Sequence, residues 1–462
     1  MKAYNNCIVQ TKSYSIKYDM TMPFKKGATS QSTGTGFFID NKGHILTCSH
    51  CIDDADECYV LIPTEGKKEF RAVVKGFCPY FDIALIKVLD YKNKNYCELD
   101  KEEQDNITPG VETFALGFPL GQDNLKITRG IISGQQLNYY QTDTSINPGN
   151  SGGPLIYNNK VIGINGAGML HAENVGYAIP ISRYLLIEKS LFGKKTQIIY
   201  YPETFGMTHQ RTNQHFKKYL ENKCTKGGIS IKEVYKNSPI ASTKLKEQDI
   251  LCSINGIQID NYGYLDKRWM DQKMDLNNIM GTLKLGENIA ISYWKQGCEK
   301  ISKGNFILKP YNQPIRQVYP KYDNLDYEII CGLVFMKLTL NHLNDYNLLT
   351  STNVKYKKIE NRNEEKVILV NVLLGSDVSD KKILKAGDIV KKVNNKTVKS
   401  LSDLRRHIVK PVKHKNGSYV KIESESNTIS ITSVDCILSE EQKLSYTYMY
   451  KPSKLLKQLK AR

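Results

Sequence analysis

Residues 142–165 read TDTSINPGNSGGPLIYNNKVIGIN. At the centre stand Gly149, Asn150, Ser151, Gly152, Gly153 and Pro154. One hydroxyl is thus ringed by glycines. A serine hydroxyl is a weak nucleophile unless a base accepts its proton. Attack on a carbonyl also needs backbone N–H groups aimed at the oxygen that turns negative. Glycine permits the tight turn and close backbone approach such a pocket requires. The stretch therefore predicts an exposed Ser151 Oγ, with the amides of Gly149 and Ser151 facing one pocket and Asn150 between them.

The base must lie elsewhere. In GHILTCSHCIDD, residues 43–54, an apolar strand opens into a polar loop at His50. In FDIALIKV, residues 81–88, Asp82 heads an apolar strand. A carboxylate there is costly unless paired. Such a group holds an imidazole tautomer and stabilises imidazolium. The order His50, Asp82, Ser151 is that of the chymotrypsin-type triad, with roughly 30 and 70 residues between members. The segment TCSHC also sets Cys48 and Cys51 around His50, with Cys58 beyond. No second ligand pair stands at zinc-finger spacing, so no metal is expected.

Around these residues, positions 30–195 read as short β-branched or apolar strands separated by Gly, Pro, Asn and Asp turns. This pattern predicts an antiparallel barrel or sandwich. SRYLLIEKSLFG (182–193) reads as a closing helix with Ser182 at its N-cap. The second half carries an internal repeat. LKEQDILCSINGIQI (245–259) and LKAGDIVKKVNNKTV (384–398) align without gaps. Two copies so far apart imply two small domains of one type rather than a solenoid. Gln248 in the first copy stands where the second has Gly387. If that position needs φ > 0, Gln248 is strained. Residues 310–324 carry three prolines and read as a linker. The tail KPSKLLKQLKAR is short and basic and reads as a frayed helix or, more simply, as a solvated terminus.

The segments TGTGFFIDNKGHILTCSHCI, DIALIKV, LGFPLG, ITRGIISG, QTDTSINPGNSGGPL and NVGYAIPIS resemble the protease domain of the HtrA/Deg family. YPETFGM (201–207) and YEIICGLVFMKL (327–338) resemble its PDZ domains, the latter similar to the second, divergent PDZ domain of two-PDZ plant Deg proteases. The resemblance implies a mainly β fold: a chymotrypsin-like double β-barrel followed by two α+β PDZ domains. It divides the chain into a protease domain (1–198), a first PDZ domain (199–309), a linker (310–324), a second PDZ domain (325–450) and a tail (451–462). It makes His50 the general base, Asp82 its orienter and Ser151 the nucleophile, with Gly149, Asn150 and Ser151 at the oxyanion hole. Ile146 and Ile164 become walls of an apolar specificity pocket. Phe205, Gly206 and Met207, and Gly332, Leu333, Val334 and Phe335, become peptide-binding loops. The implied activity is ATP-independent, cofactor-free cleavage of unfolded polypeptides by a homo-oligomer, a trimer or hexamer. A protease-derived PDZ scaffold or chaperone with a latent triad is the alternative.

The composition adds limits. The chain has 462 residues and a net charge of +18. Residues 1–200 contribute about +1 and residues 201–462 about +17. The lysines are dispersed, and no stacking-aromatic module, zinc knuckle or helix-turn-helix signature accompanies them, so specific nucleic-acid recognition is not indicated. Eleven cysteines without a secretory signal point to reduced thiols. The N-terminus shows no signal-like apolar run, and no stretch is long and apolar enough to span a bilayer. A soluble, intracellular protein away from membranes is expected.

Overall fold

The computed structural model describes residues 4–101, 107–168, 175–193, 196–270, 272–311 and 313–460. They form two compact units, Met1–Ser15 with Thr29–Tyr311, and Ile16–Ala28 with Asn312–Arg462.

The first unit begins with a six-stranded barrel. Its order is Glu69–Cys78, Glu57–Leu61, Ile8–Ile16, Thr29–Phe38, His44–Cys48 and Ile83–Val88, closed by pairing of the last with the first. His44–Cys48 and Ile83–Val88 are almost wholly buried, which explains their unbroken apolar runs. Phe37, Phe38, Ile45, Leu46, Leu85 and Ile86 have no exposed surface. Each such side chain contributes about 1.5–3 kcal/mol. In the antiparallel register Cys48 faces Ile83. His50, just past one strand, and Asp82, just before the other, therefore emerge at the same end.

A second closed barrel contains Glu112–Gly117, Lys126–Gln136, Tyr139–Thr142, Pro154–Tyr157, Lys160–Gly168 and Gly176–Pro180. Ile132, Tyr140, Leu155, Ile162 and Ala178 fill it. Ser151 lies in the loop feeding Pro154–Tyr157. The closing helix runs Ile181–Leu191. Its N-cap position is Pro180, so Ser182 sits inside the first turn rather than capping it.

The rest of this unit is an α+β body. Its sheet has the order Met207–Gln210, Ile229–Val234, Ile250–Ile254, Asn288–Trp294, Ser302–Ile307. Met207–Gln210 is an edge strand. A hairpin, Tyr264–Trp269 with Gln272–Asp275, carries Trp269 onto the second barrel, against Tyr140 and under Arg183. Tyr201 packs on Tyr80 and Phe81 and bonds through its hydroxyl to the Met280 carbonyl at 2.6 Å. Cys224 and Cys252 form a disulfide with Cα atoms 5.2 Å apart. This corrects the expectation that every thiol is reduced. Spacing alone gave no hint, because the two cysteines meet only through the packing of this sheet.

In the second unit the strands run Tyr327–Ile330, Leu333–Lys337, Val367–Val372, Ile389–Val393, Gly417–Ser424 and Val412–His414 in one sheet. The two repeat copies fold alike. Asp249 accepts from Lys246 N and Asp388 from Lys385 N, each fixing the turn before its strand. Gln248 takes φ +69° where Gly387 takes +94°, so the strained backbone expected at Gln248 is present. Two stretches are more closely packed than their sequence suggests. Ile315, Val318 and Tyr319 of the proline-rich stretch are buried, and Arg316 pairs with Asp323. The tail forms the helix Leu455–Lys460, whose Leu455 and Leu459 join the core. Apolar residues at a spacing of four supplied that anchor within a basic segment. Ile16–Ala28 also belongs to this unit: Phe24 packs on Tyr450, and the Thr21 carbonyl accepts from Asn371 Nδ2 at 3.2 Å.

Candidate active site

His50 lies in a single 3₁₀ turn, Ser49–Cys51, directly after its strand. Its Nδ1 is 2.7 Å from Asp82 Oδ2, and its backbone N–H donates to Asp82 Oδ1 at 2.9 Å. A carboxylate only accepts, so Nδ1 carries the hydrogen and Nε2 is left as the basic nitrogen. The hydrogen bond to Asp82 raises the His50 pKa above its ordinary 6.5. Asp82 itself adopts φ +55°, an uncommon conformation for a non-glycine residue. The neighbouring Tyr80–Phe81 turn is wedged against Tyr201.

Ser151 Oγ donates to the Gly166 carbonyl at 2.7 Å. Gly149 has φ +98° and Gly152 φ +87°, conformations that require glycine here. A Cβ on Gly152 would meet the Thr35 carbonyl at 2.2 Å, and one on Gly149 the Phe118 carbonyl at 2.3 Å. Among the described residues, the amides of Gly149 and Ser151 donate to no protein acceptor. The Asn150 amide is already bonded to the Asn147 carbonyl at 2.9 Å. Asn150, between the two expected donors, therefore shapes the turn.

Two buried polar residues missed by sequence reasoning hold this loop. Thr35 Oγ1 donates to the Gly149 carbonyl at 2.6 Å and accepts from Phe118 N at 3.1 Å, while Thr35 N donates to the Ser151 carbonyl at 2.8 Å. The Asn165 carbonyl accepts from Gly152 N at 2.8 Å and from the Cys48 thiol at 3.2 Å. Thr35 thus ties the first barrel to the serine loop, and Asn165 ties that loop to the His50 strand. Their only signal in the sequence is a polar residue inside a buried strand. Asp53, beside Asp54 and near His50 and Asp82, has its carboxyl pushed up to about 7, first by burial and then by the Asp54 charge.

Ile146 retains 8 % exposure and lies on Gly176, where a Cβ would meet its Cδ1 at 3.0 Å. Ile164 has no exposed surface, between Pro154 and Ile179. A wall role for Ile164 would therefore be played from beneath the surface. Phe205 packs edge-on against Phe306, and Gly206 takes φ +90° over Ser238 at the head of the open strand Met207–Gln210. Gly332 takes φ +72°, but Leu333, Val334 and Phe335 are buried, and their strand is paired on both edges, by Tyr327–Ile330 and Val367–Val372. Arg405 pins the covering strand through Asp326, Glu328 and the Tyr327 carbonyl. Peptide addition at Leu333–Phe335, expected from the sequence, is blocked while that strand stays.

Donor atoms of Cys48, His50 and Asp82 lie within 4.8 Å of one another. A metal there would displace the His50–Asp82 hydrogen bond, and burial raises the Cys48 pKa, opposing the thiolate a metal needs. Cys51 and Cys58 stand outside this group.

The trypsin-like peptidase domain family matches residues 34–164, and the PDZ domain family matches residues 318–451. The chain is 27 % identical over 442 residues to the putative protease Do-like 3, mitochondrial, of Arabidopsis thaliana, covering 92 % of this chain and 75 % of that protein. It is 30 % identical over 282 residues to the probable periplasmic serine endoprotease DegP-like of Pseudomonas putida (strain W619), covering 58 % of this chain and 54 % of the relative. Among solved structures, an HtrA-type protease AlgW with decapeptide superposes with TM-score 0.51 at 23 % identity, over 68 % of this chain and 98 % of that one. That likeness establishes the fold. The expected setting, intracellular with no address, is corrected by these names: the Arabidopsis relative is called mitochondrial and the Pseudomonas relative periplasmic. Among the described residues, no helix is long and apolar enough to cross a membrane.

Proposed function

The chain belongs to the HtrA/Deg serine proteases, and from that premise we propose that it cleaves unfolded polypeptides with His50 as base, Asp82 as orienter and Ser151 as nucleophile. The observation that carries the reading is the His50 Nδ1–Asp82 Oδ2 hydrogen bond of 2.7 Å at the barrel end that also receives the Gly149–Gly153 loop. In this mechanism Ser151 Oγ leaves the Gly166 carbonyl and turns to His50 Nε2. The imidazole takes the hydroxyl proton as Oγ attacks the scissile carbonyl. The amides of Gly149 and Ser151 stabilise the oxyanion. His50 then protonates the leaving amine, and water hydrolyses the acyl-enzyme. Ile146 on Gly176 gives a small apolar pocket, which favours cleavage after small or medium aliphatic residues.

We assign 199–309 and 325–450 to the two PDZ domains, 1–198 to the protease and 310–324 to the connection. The open edge of Met207–Gln210 supports peptide capture by strand addition in the first PDZ domain. The doubly paired Leu333–Lys337 strand supports a gating or assembly role for the second, within a trimer or hexamer. The latent-scaffold reading rests on one observation, the Ser151 hydroxyl held by Gly166. Incubation with denatured casein separates the two. Cleavage by the wild type and none by Ser151→Ala supports the protease. Intact casein with both proteins favours the scaffold.

A further inference from the structure

Phe38 lies at the end of its strand and uses both backbone groups on one edge. Its N–H donates to the Cys7 carbonyl, and its carbonyl accepts from Cys97 N, each at 2.8 Å. In an extended residue the N–H and C=O point the same way. Cys7 and Cys97 are therefore side-by-side neighbours along that edge, although 90 positions apart in sequence. Both are free thiols. Both residues are buried, yet Cys97 also lines a cavity of about 550 Å³ bounded by Ile39, Asp40, Glu98, Tyr184 and Phe192.

We propose that Cys7 and Cys97 are a reversible dithiol–disulfide pair, oxidised by a low-molecular-weight disulfide entering through this cavity. One cysteine thiolate attacks a sulfur of the small disulfide and expels the first small thiolate. The second cysteine thiolate then attacks the mixed disulfide and expels the other. Two cysteine thiols and one external disulfide become one internal disulfide and two external thiols, with the two cysteine protons ending on the released thiols. Interaction with the Cys97 side chain holds the Cys7 thiol below its ordinary pKa and so favours thiolate at Cys7, while burial opposes this.

The bridge has a structural consequence beyond the pair. Cys97 begins the segment that pairs with the second barrel, where Val161 N donates to Glu98 O and Asp100 N to Val161 O. Val161 lies on the strand Lys160–Gly168, which also carries Asn165 and Gly166 beside the serine loop. Oxidation thus fastens the turn that leads into Ile8–Ile16 of one barrel to a segment hydrogen-bonded to the other.

The test uses the full chain, reduced and then incubated with oxidised glutathione. Free thiols are alkylated without reduction and the peptides are mapped. Re-formation of Cys224–Cys252 serves as the internal control. The expected result is a Cys7–Cys97 cross-linked peptide, absent in Cys97→Ser and removed by dithiothreitol. It is accompanied by a rise of about 5 °C in the unfolding midpoint of the wild type alone. Recovery of Cys7 and Cys97 as alkylated thiols, or as persistent glutathione adducts, while the control bridge forms, overturns the proposal. This test does not depend on proteolysis, so it stands apart from the assignment of the triad.

Discussion

The hydroxyl of Ser151 donates a hydrogen bond to the carbonyl of Gly166, 2.7 Å away. Attack requires that proton to face His50 instead. A protein hydrogen bond contributes about 0.5–1.5 kcal/mol net, so releasing it slows reaction by roughly tenfold at most. A fluorophosphonate should therefore label the resting protein, and prior addition of denatured casein should speed labelling by less than about tenfold. An acceleration of several hundredfold, measured as the labelling rate constant, would mean that far more than one hydroxyl must move.

The pH dependence has a definite sign. Bonding to Asp82 raises the His50 pKa, and the protonated ring cannot accept the serine proton. Activity must therefore rise with pH, with its acid limb displaced above the free histidine value of about 6.5. Asp82→Asn should return that limb towards about 6.5 and lower turnover by about 10⁴. Asp53, whose carboxyl is pushed up to about 7 nearby, titrates in the same range, so Asp53→Asn is the control. A limb of kcat/KM that stays put in Asp82→Asn contradicts the pairing.

Thr35 should matter without touching substrate. Its hydroxyl is bonded to both the Gly149 carbonyl and Phe118 N. Thr35→Val keeps the shape and leaves two buried groups without that partner, at about 1–3 kcal/mol each. Turnover of a peptide substrate should fall by about 10–100-fold, with a smaller change in KM. Unchanged turnover in a folded variant would show that the oxyanion turn holds itself.

How much of this was legible from residues is uneven. The strands HILTC and IALIKV were legible because both are buried and unbroken, and their pairing brings His50 to Asp82. The serine loop was legible because only glycine tolerates its positive φ values at Gly149 and Gly152. The repeat was legible through Asp249 and Asp388, which perform the same turn-fixing task. Thr35 and Asn165 escaped notice because a buried polar residue reveals its role only through distant partners. The binding of Ile16–Ala28 to the C-terminal unit escaped for the same reason: Thr21 and Asn371 are 350 positions apart. The covered strand Leu333–Lys337 was hidden because pairing is a property of the sheet rather than of CGLVF.

Cys224 and Cys252 close a loop of sequence separation 28. Chain-entropy reasoning gives such a closure about 3–4 kcal/mol. Cys252→Ser should accordingly lower the unfolding midpoint of the first α+β body, read by hydrogen exchange of Ile250–Ile254. Equal protection of that strand in the variant would mean that the bridge adds nothing to the packed sheet.

The most direct measurement is the site of covalent capture. Full-length protein is treated with a fluorophosphonate, digested and mapped by mass spectrometry, beside His50→Ala. The account predicts one adduct per chain, on Ser151, and its near-complete loss in His50→Ala. An adduct on another residue, or equal labelling of Ser151 in the folded variant, would contradict it.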